Sequence, residues 1–239
     1  MNIRCLAKRF LIKSRNIFLP TETIGESKNK WSDLARKNAK YFIWSEKENS
    51  TDEEFRLSGE ADYGRYVKND RLLQDNLART NAKTVLEISC GIGRMTEFFG
   101  NDFEKIYGID IASGMIEMAK NRLSDSKFEF VEGNGVSLPF ESDSVDFIFS
   151  FAVFQHMPSR EVVGDNFKEV FRVLKPGRLF KVQLRGNEVK KGDWYYGIGF
   201  TQGGAAILAY TAGFKVLNIY SETEKYLWLL LKKEGHNTL

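Results

Sequence analysis

The chain has 239 residues with 35 basic and 32 acidic side chains, a formal charge of +3, 42% hydrophobic and 28% charged residues. That length suits one α/β domain with some appended structure, and the balance excludes wholesale disorder while giving no electrostatic case for a nucleic-acid partner. Two cysteines, Cys5 and Cys90, and two histidines, His156 and His236, offer no spacing for a disulfide framework or a zinc centre, so no metal is expected and a reducing, cytoplasmic setting is.

Arg4, Lys8, Arg9, Lys13 and Arg15 all precede the first acid, Glu22, and Ile3, Leu6, Ala7, Phe10 and Leu11 fall on one helical stripe. Two readings stand: a basic amphipathic helix over residues 1–19 lying on an anionic, inner membrane face, or a helix packing its stripe on protein. No apolar run approaches the length that crosses a bilayer. Residues 20–32 are polar and read as a linker. Apolar and aromatic positions recurring at three and four predict helices near 31–41 and 52–78, with Gly59 and Gly64 punctuating the second.

After Asn81 the pattern changes to short apolar runs at 84–89, 105–109, 128–132, 145–151, 179–184, 214–220 and 226–232. Helical stretches follow near Arg94, Gly114, Glu161 and Gly203. Strand–helix alternation of this kind predicts a parallel sheet covered on both faces. The last two runs lie too close together for a helical crossover, so they should form an antiparallel hairpin. The expected division is a helical extension and lid over 1–80 and an α/β core over 81–239.

Val85-Leu86-Glu87-Ile88-Ser89-Cys90-Gly91-Ile92-Gly93-Arg94 is a buried strand entering a glycine turn before a helix. Glycines there let the backbone approach a ligand, and free N–H groups at a helix start attract negative charge. Asp110 ends the next strand, about twenty residues on, where a carboxylate can accept both hydroxyls of a ribose; its other reading is a helix cap. A dinucleotide fingerprint would want glycine where Thr96 stands, which disfavours a nicotinamide oxidoreductase.

Counted from Glu87, the spacing acid-x-small-x-Gly-x-Gly resembles the first motif of class I S-adenosylmethionine-dependent methyltransferases, with Ser89 in place of the first glycine. "YGIDIASGMIEMAK", "FVEGNGVSLPFESDSVDFIFSFAVFQHMP", "VFRVLKPGRLFKVQLRG" and "YTAGFKVLNIYSETEKYLWLLLKK" are similar to that family's later motifs, in order. "EEFRLSGEADYGRYV", "FKVQLRG" and "YLWLLL" look like a bacterial subgroup of small-molecule type.

The resemblance implies a Rossmann-like, seven-stranded, mostly parallel sheet and S-adenosylmethionine as cofactor. It implies that Glu87 meets the methionine amino group, that Ser89, Gly91, Gly93 and Arg94 shape the turn around that moiety, and that Asp110 grips the ribose. Ile111 and Met115 would flank the adenine, Asn134 beside Gly135 would accept from its amino group, and Phe151 would sit near cofactor and substrate. His156 follows the fourth strand, where a base could act or a loop could be fixed. Tyr63 and Tyr66 from the lid, Gln183 and Arg185 from the fifth strand, and Trp194, Tyr195 and Tyr196 beyond it are the substrate candidates. A small polar or anionic acceptor, methylated at oxygen, carbon or amine nitrogen, is the leading expectation. A non-catalytic protein keeping the fold for binding is the alternative, left open by Ser89 and Asn134.

Overall fold

The computed structural model describes residues 23–186, 197–223 and 225–235 and gathers seven strands into one sheet, ordered β3-β2-β1-β4-β5-β7-β6. The strands are β1 Thr84–Ile88, β2 Lys105–Asp110, β3 Phe128–Glu132, β4 Val145–Ser150, β5 Leu174–Arg185, β6 Phe214–Ser221 and β7 Tyr226–Lys233. β1 to β5 pair in parallel, and β7 runs antiparallel to both β5 and β6. The mostly parallel Rossmann-like sheet and its reversed closing hairpin are therefore as expected. The chain walks outward from β1 to β3 and then crosses to β4, so the carboxyl ends of β1 and β4 bound the crevice where such sheets bind ligands.

The helices are α1 Ile24–Ile43, α2 Asp52–Tyr63, α3 Arg71–Thr80, α4 Thr96–Phe99, α5 Ser113–Arg122, α6 Arg160–Val173 and α7 Gln202–Thr211. On one face of the sheet, Leu86, Ile148, Phe180 and Val182 pack on Val163, Phe167 and Val170 of α6 and on Ala205 and Ala209 of α7. On the other, Val85, Ile106, Phe147, Phe149 and Trp228 meet Phe98 and Phe99 of α4 and Tyr63, Tyr66 and Leu73 of the amino-terminal helices. Fully buried side chains such as Phe149 and Leu86 each contribute about 1.5–3 kcal/mol through this packing.

Three local readings change. Residues 20–32 were expected as linker, yet α1 begins at Ile24. Thr23 Oγ1 accepts the Glu26 N–H while the Glu26 carboxylate accepts the Thr23 N–H, a capping box that starts the helix despite its polar composition. The stretch 52–78 divides at Gly64, as expected, into α2, a π-helical turn Gly64–Lys68 and α3, which Asp70 caps, but the other glycine behaves otherwise. Gly59 does not punctuate: it lies inside α2 where a Cβ would come 2.2 Å from the Arg94 carbonyl oxygen, so its role is close approach to the turn after β1.

The third change is at β5. It starts at Leu174 rather than after the Lys-Pro-Gly turn, and its register against β4 jumps from Val145↔Leu174 to Phe147↔Leu179. The looped-out residues bring Lys175 to 3.0 Å and Arg178 to 3.3 Å from the buried carboxylate of Asp146. That carboxylate also accepts the Lys83 and Thr84 backbone N–H groups, so the buried charge of Asp146 is fully partnered where β1, β4 and β5 begin.

Candidate active site at the carboxyl edge

Two buried carboxylates stand on neighbouring strands at this edge. Glu87 and Asp110 are 6% and 8% exposed, and both project from the same face, since Glu87 pairs with Gly108 in the β1–β2 register. Asp110 Oδ2 accepts the Gly91 N–H at 3.0 Å and Oδ1 accepts the Ala112 N–H at 2.9 Å. The acid thereby stitches the glycine turn to the start of α5, and each oxygen keeps a lone pair for a further donor. Glu87 accepts from Thr96 Oγ1 at 2.5 Å. The position a dinucleotide site would give to glycine instead supplies the partner of this buried acid.

Burial pushes Glu87 up to about 7, held back by the Thr96 hydroxyl and the Arg94 cation and raised further by Asp110. Burial likewise pushes Asp110 up to about 6 against the backbone N–H groups that favour its charged form. Such carboxylates gain most from a ligand that brings positive charge to one and hydroxyl donors to the other.

The turn between them is strained at a residue that is not glycine. Ser89 has φ +53°, a left-handed conformation costing about 1–2 kcal/mol for a residue with a Cβ. Serine in place of the motif's first glycine therefore acts on the backbone as well as on the space beside it. Gly91, at φ +56°, needs glycine for two reasons, because a Cβ there would also meet Ile43 Cδ1 at 2.7 Å. Arg94 reaches the helical layer, with its guanidinium 2.7 Å from Asp62 and 3.3 Å from Ser58 Oγ.

Helix α1 lies across this half of the edge. Its Ala35 and Ala39 are buried with Ile92, Ala112 and Met115, while Trp31 and Ile43 pack beside them. A Cβ on Gly135 would meet Ile111 Cδ1 at 2.9 Å and Ile24 Cγ2 at 3.1 Å, so the helix spans from the glycine turn to the loop after β3. Lys28 pairs with Glu132 at 2.5 Å near its start. Asn134 turns inward on its own loop: Oδ1 accepts the Val136 and Ser137 N–H groups and Nδ2 donates to Ser137 Oγ. With both lone pairs engaged, that oxygen cannot also accept from an adenine amino group in this arrangement, which corrects the expected contact.

The other half of the edge is aromatic. Phe151 stacks at 5.4 Å on Trp228 and lies 4.7 Å from Tyr66, whose ring is 4.6 Å from Trp228. The Tyr66 hydroxyl donates to Glu222, which also pairs with Arg65. Beneath the stack, Lys181 is 1% exposed and bonds Asp70 at 2.6 Å and the Tyr66 carbonyl at 2.5 Å. Tyr63, expected near substrate, is buried against Phe98 and Phe99 with its hydroxyl on Asp102, a residue that precedes β2 and so lies away from the carboxyl edge. Its reading as a substrate contact is corrected.

Gln183 is fully buried and Arg185 nearly so at the end of β5. His156 sits under α1, with the Trp31 ring edge-on at 5.3 Å. Desolvation first, then the Lys30 and Arg185 cations, push it down to about 4, while a hydrogen bond with the Ala152 backbone opposes them. Residues 1–19, Trp194, Tyr195, Tyr196 and His236 lie outside the described residues. Among the described residues no group of three or more His, Cys, Asp or Glu could hold a metal, and no helix is long and apolar enough to cross a membrane. Trp31, Ala35, Ala39, Thr96 and Lys181 were not anticipated as site residues; the helix bearing the first three was expected near 31–41, and the Thr23-x-x-Glu26 box could have announced its start.

A sheet of this order, with a reversed β7, a glycine turn after β1 and an acid closing β2, is an open α/β sheet with its ligand crevice at the carboxyl ends of the strands. Residues 86–181 match the family described as "Methyltransferase domain". A methyltransferase from Methanosarcina mazei, described as dependent on S-adenosylmethionine, superposes with a TM-score of 0.58 at 21% identity, covering 69% of this chain and 97% of that one. Residues 86–181 thus resemble a methyltransferase domain, and the sheet has the fold of solved S-adenosylmethionine-dependent methyltransferases.

The sterol 24-C-methyltransferase of Schizosaccharomyces pombe is 32% identical over 129 residues, 52% of this chain and 33% of its own length. Phosphoethanolamine N-methyltransferase 2 of Caenorhabditis elegans is 26% identical over 166 residues, 64% of this chain and 37% of its own. The chain thus spans about a quarter to under a half of the length of the curated relatives it matches, and the names of these two point to different acceptor atoms.

Proposed function

We propose that this protein transfers the methyl group of S-adenosylmethionine to a small polar or anionic acceptor, at oxygen, carbon or amine nitrogen. The observation that carries the reading is the pair of buried carboxylates, Glu87 and Asp110, on adjacent strands beside the glycine turn. Glu87 would take the ammonium of the methionine moiety and Asp110 the ribose hydroxyls, through the lone pairs its backbone donors leave. Ser89, Gly91 and Gly93 would line the methionine moiety, and Ile111, Met115 and Gly135 the adenine. When bound, the cofactor supplies an electrophilic sulfonium methyl, so the chain's main tasks are alignment and exclusion of water.

Helix α1 suits the second task, since it covers the glycine turn, α5 and His156 together. Phe151, Tyr66, Gln183 and Arg185 would border the acceptor, with the Arg185 cation supporting a polar or anionic partner. His156 is the residue best placed to receive a proton, and its neutrality at physiological pH is compatible with that role. The amino-terminal helices would act as the lid of the core over 81–239. The mixed acceptors of the named relatives support methyl transfer and leave the acceptor atom open.

The test is calorimetric titration of the protein with S-adenosylmethionine. Micromolar binding that Asp110→Ala abolishes while the fold persists is the expected result; no binding by the unaltered protein would overturn it. Flotation with anionic liposomes, with and without residues 1–19, tests a peripheral membrane contact by that segment.

A further inference from the structure

Two glutamines connect the end of β5 to His156. The backbone N–H of Ala152 can only donate, and it bonds Gln183 Oε1 at 3.0 Å. The other end of that amide is therefore Nε2, which donates to the Leu184 carbonyl at 2.5 Å and faces Gln155 Oε1 at 3.4 Å. With its oxygen receiving, Gln155 presents its own Nε2, 3.1 Å from His156 Nε2. An amide nitrogen has only protons to offer, so the ring nitrogen it meets must be the acceptor.

We propose that Gln183 and Gln155 are positioning residues that hold His156 in the Nδ1–H tautomer, leaving Nε2 as the ring atom able to take a proton. Gln155 is then the group that an acceptor's O–H or N–H must displace to reach it. The tautomer stands independently of the methyltransferase reading; only its consequence for the acceptor rests on that reading.

The surroundings hold the relay in place. Gln183 is fully buried, so its amide has no water to turn toward. Ala152, at φ +59°, carries its N–H on a left-handed turn that the Gln183 bond helps to fix. A Cβ on Gly197 would lie 1.6 Å from the Gln155 carbonyl oxygen, so the chain returning after β5 presses on the Gln155 backbone. Trp31 closes the ring from the side of α1. A neutral imidazole in this position has one choice left to make, which nitrogen bears the proton, and the amides decide it.

The experiment is NMR of the full chain with nitrogen-labelled histidine imidazoles at pH 7, using His236→Gln to assign the only other histidine. His156 is expected to show a protonated Nδ1 and an unprotonated, hydrogen-bonded Nε2. Gln155→Leu removes the donor and should shift the tautomer ratio by about tenfold. Gln155→Glu offers only acceptor atoms and should invert the tautomer, moving the proton to Nε2. An Nε2–H ring in the unaltered protein, or an unchanged ratio in both variants, would overturn the relay. Titration of the same unaltered sample with S-adenosylmethionine reads the functional proposal separately, so the two can fail independently.

Discussion

The two halves of the carboxyl edge handle charge in opposite ways. Around β1 and β2, two carboxylates are buried with neutral donors only, and burial drives both toward their protonated forms. Around β5 and β7, the buried Lys181 ammonium is matched by Asp70, and Glu222 by the exposed Arg65. On the reading proposed above, the first half awaits the positive and hydroxyl groups of a ligand, whereas the Lys181–Asp70 pair of the second is complete in itself. Unmatched buried charge marks the place where stability has been given up for binding.

The sharpest way to break this contrast is to unbalance the complete half. Asp70→Asn keeps the cap on α3 but leaves the Lys181 ammonium buried without its counter-charge, and should lower unfolding free energy by about 3–5 kcal/mol in denaturant titrations. Next is the opposite manoeuvre in the other half. Glu87→Gln should raise stability by up to about 3 kcal/mol above pH 7 and change nothing below the unfolded pKa. The sign follows from a folded pKa of about 7 above the ordinary 4.5: the folded state binds the extra proton, so stability is full in acid and falls as pH rises through 7. A variant less stable than the parent at pH 8 would contradict an unmatched charge there.

Cofactor affinity should follow the same group. An ammonium favours ionised Glu87, so binding of S-adenosylmethionine should tighten by about tenfold from pH 6 to 8, and Glu87→Gln should flatten that slope. The smallest effect belongs to the surface. Lys28→Ala removes a half-exposed pair with Glu132 and should change unfolding free energy by no more than about 1 kcal/mol.

What could be read from the sequence was what is local. The strands announced themselves because Val85-Leu86, Phe147-Ile148-Phe149 and Leu227 to Leu231 are short apolar runs between turn residues, and the reversed hairpin followed from the spacing of the last two. Glu87, Gly91 and Asp110 were legible because a turn and the next strand end lie a fixed distance apart. What was hidden depends on contacts across the fold. Nothing near Tyr63 tells it from Tyr66, yet one is buried with its hydroxyl turned to Asp102 and the other stacks with Phe151. Asn134 resembled an adenine partner by position, and only the loop conformation reveals that its oxygen is already bonded twice. Ser89 passed as a small residue, because a positive φ is a property of the folded turn.

One consequence of helix α1 concerns time. The same twenty residues meet Gly91 through Ile43, Gly135 through Ile24 and His156 through Trp31. A molecule held by Glu87 and Asp110, as proposed, would have to pass that rod on entering and leaving. Its association rate should level off at high concentration, at a ceiling set by the helix rather than by diffusion, and product departure would share the same clock.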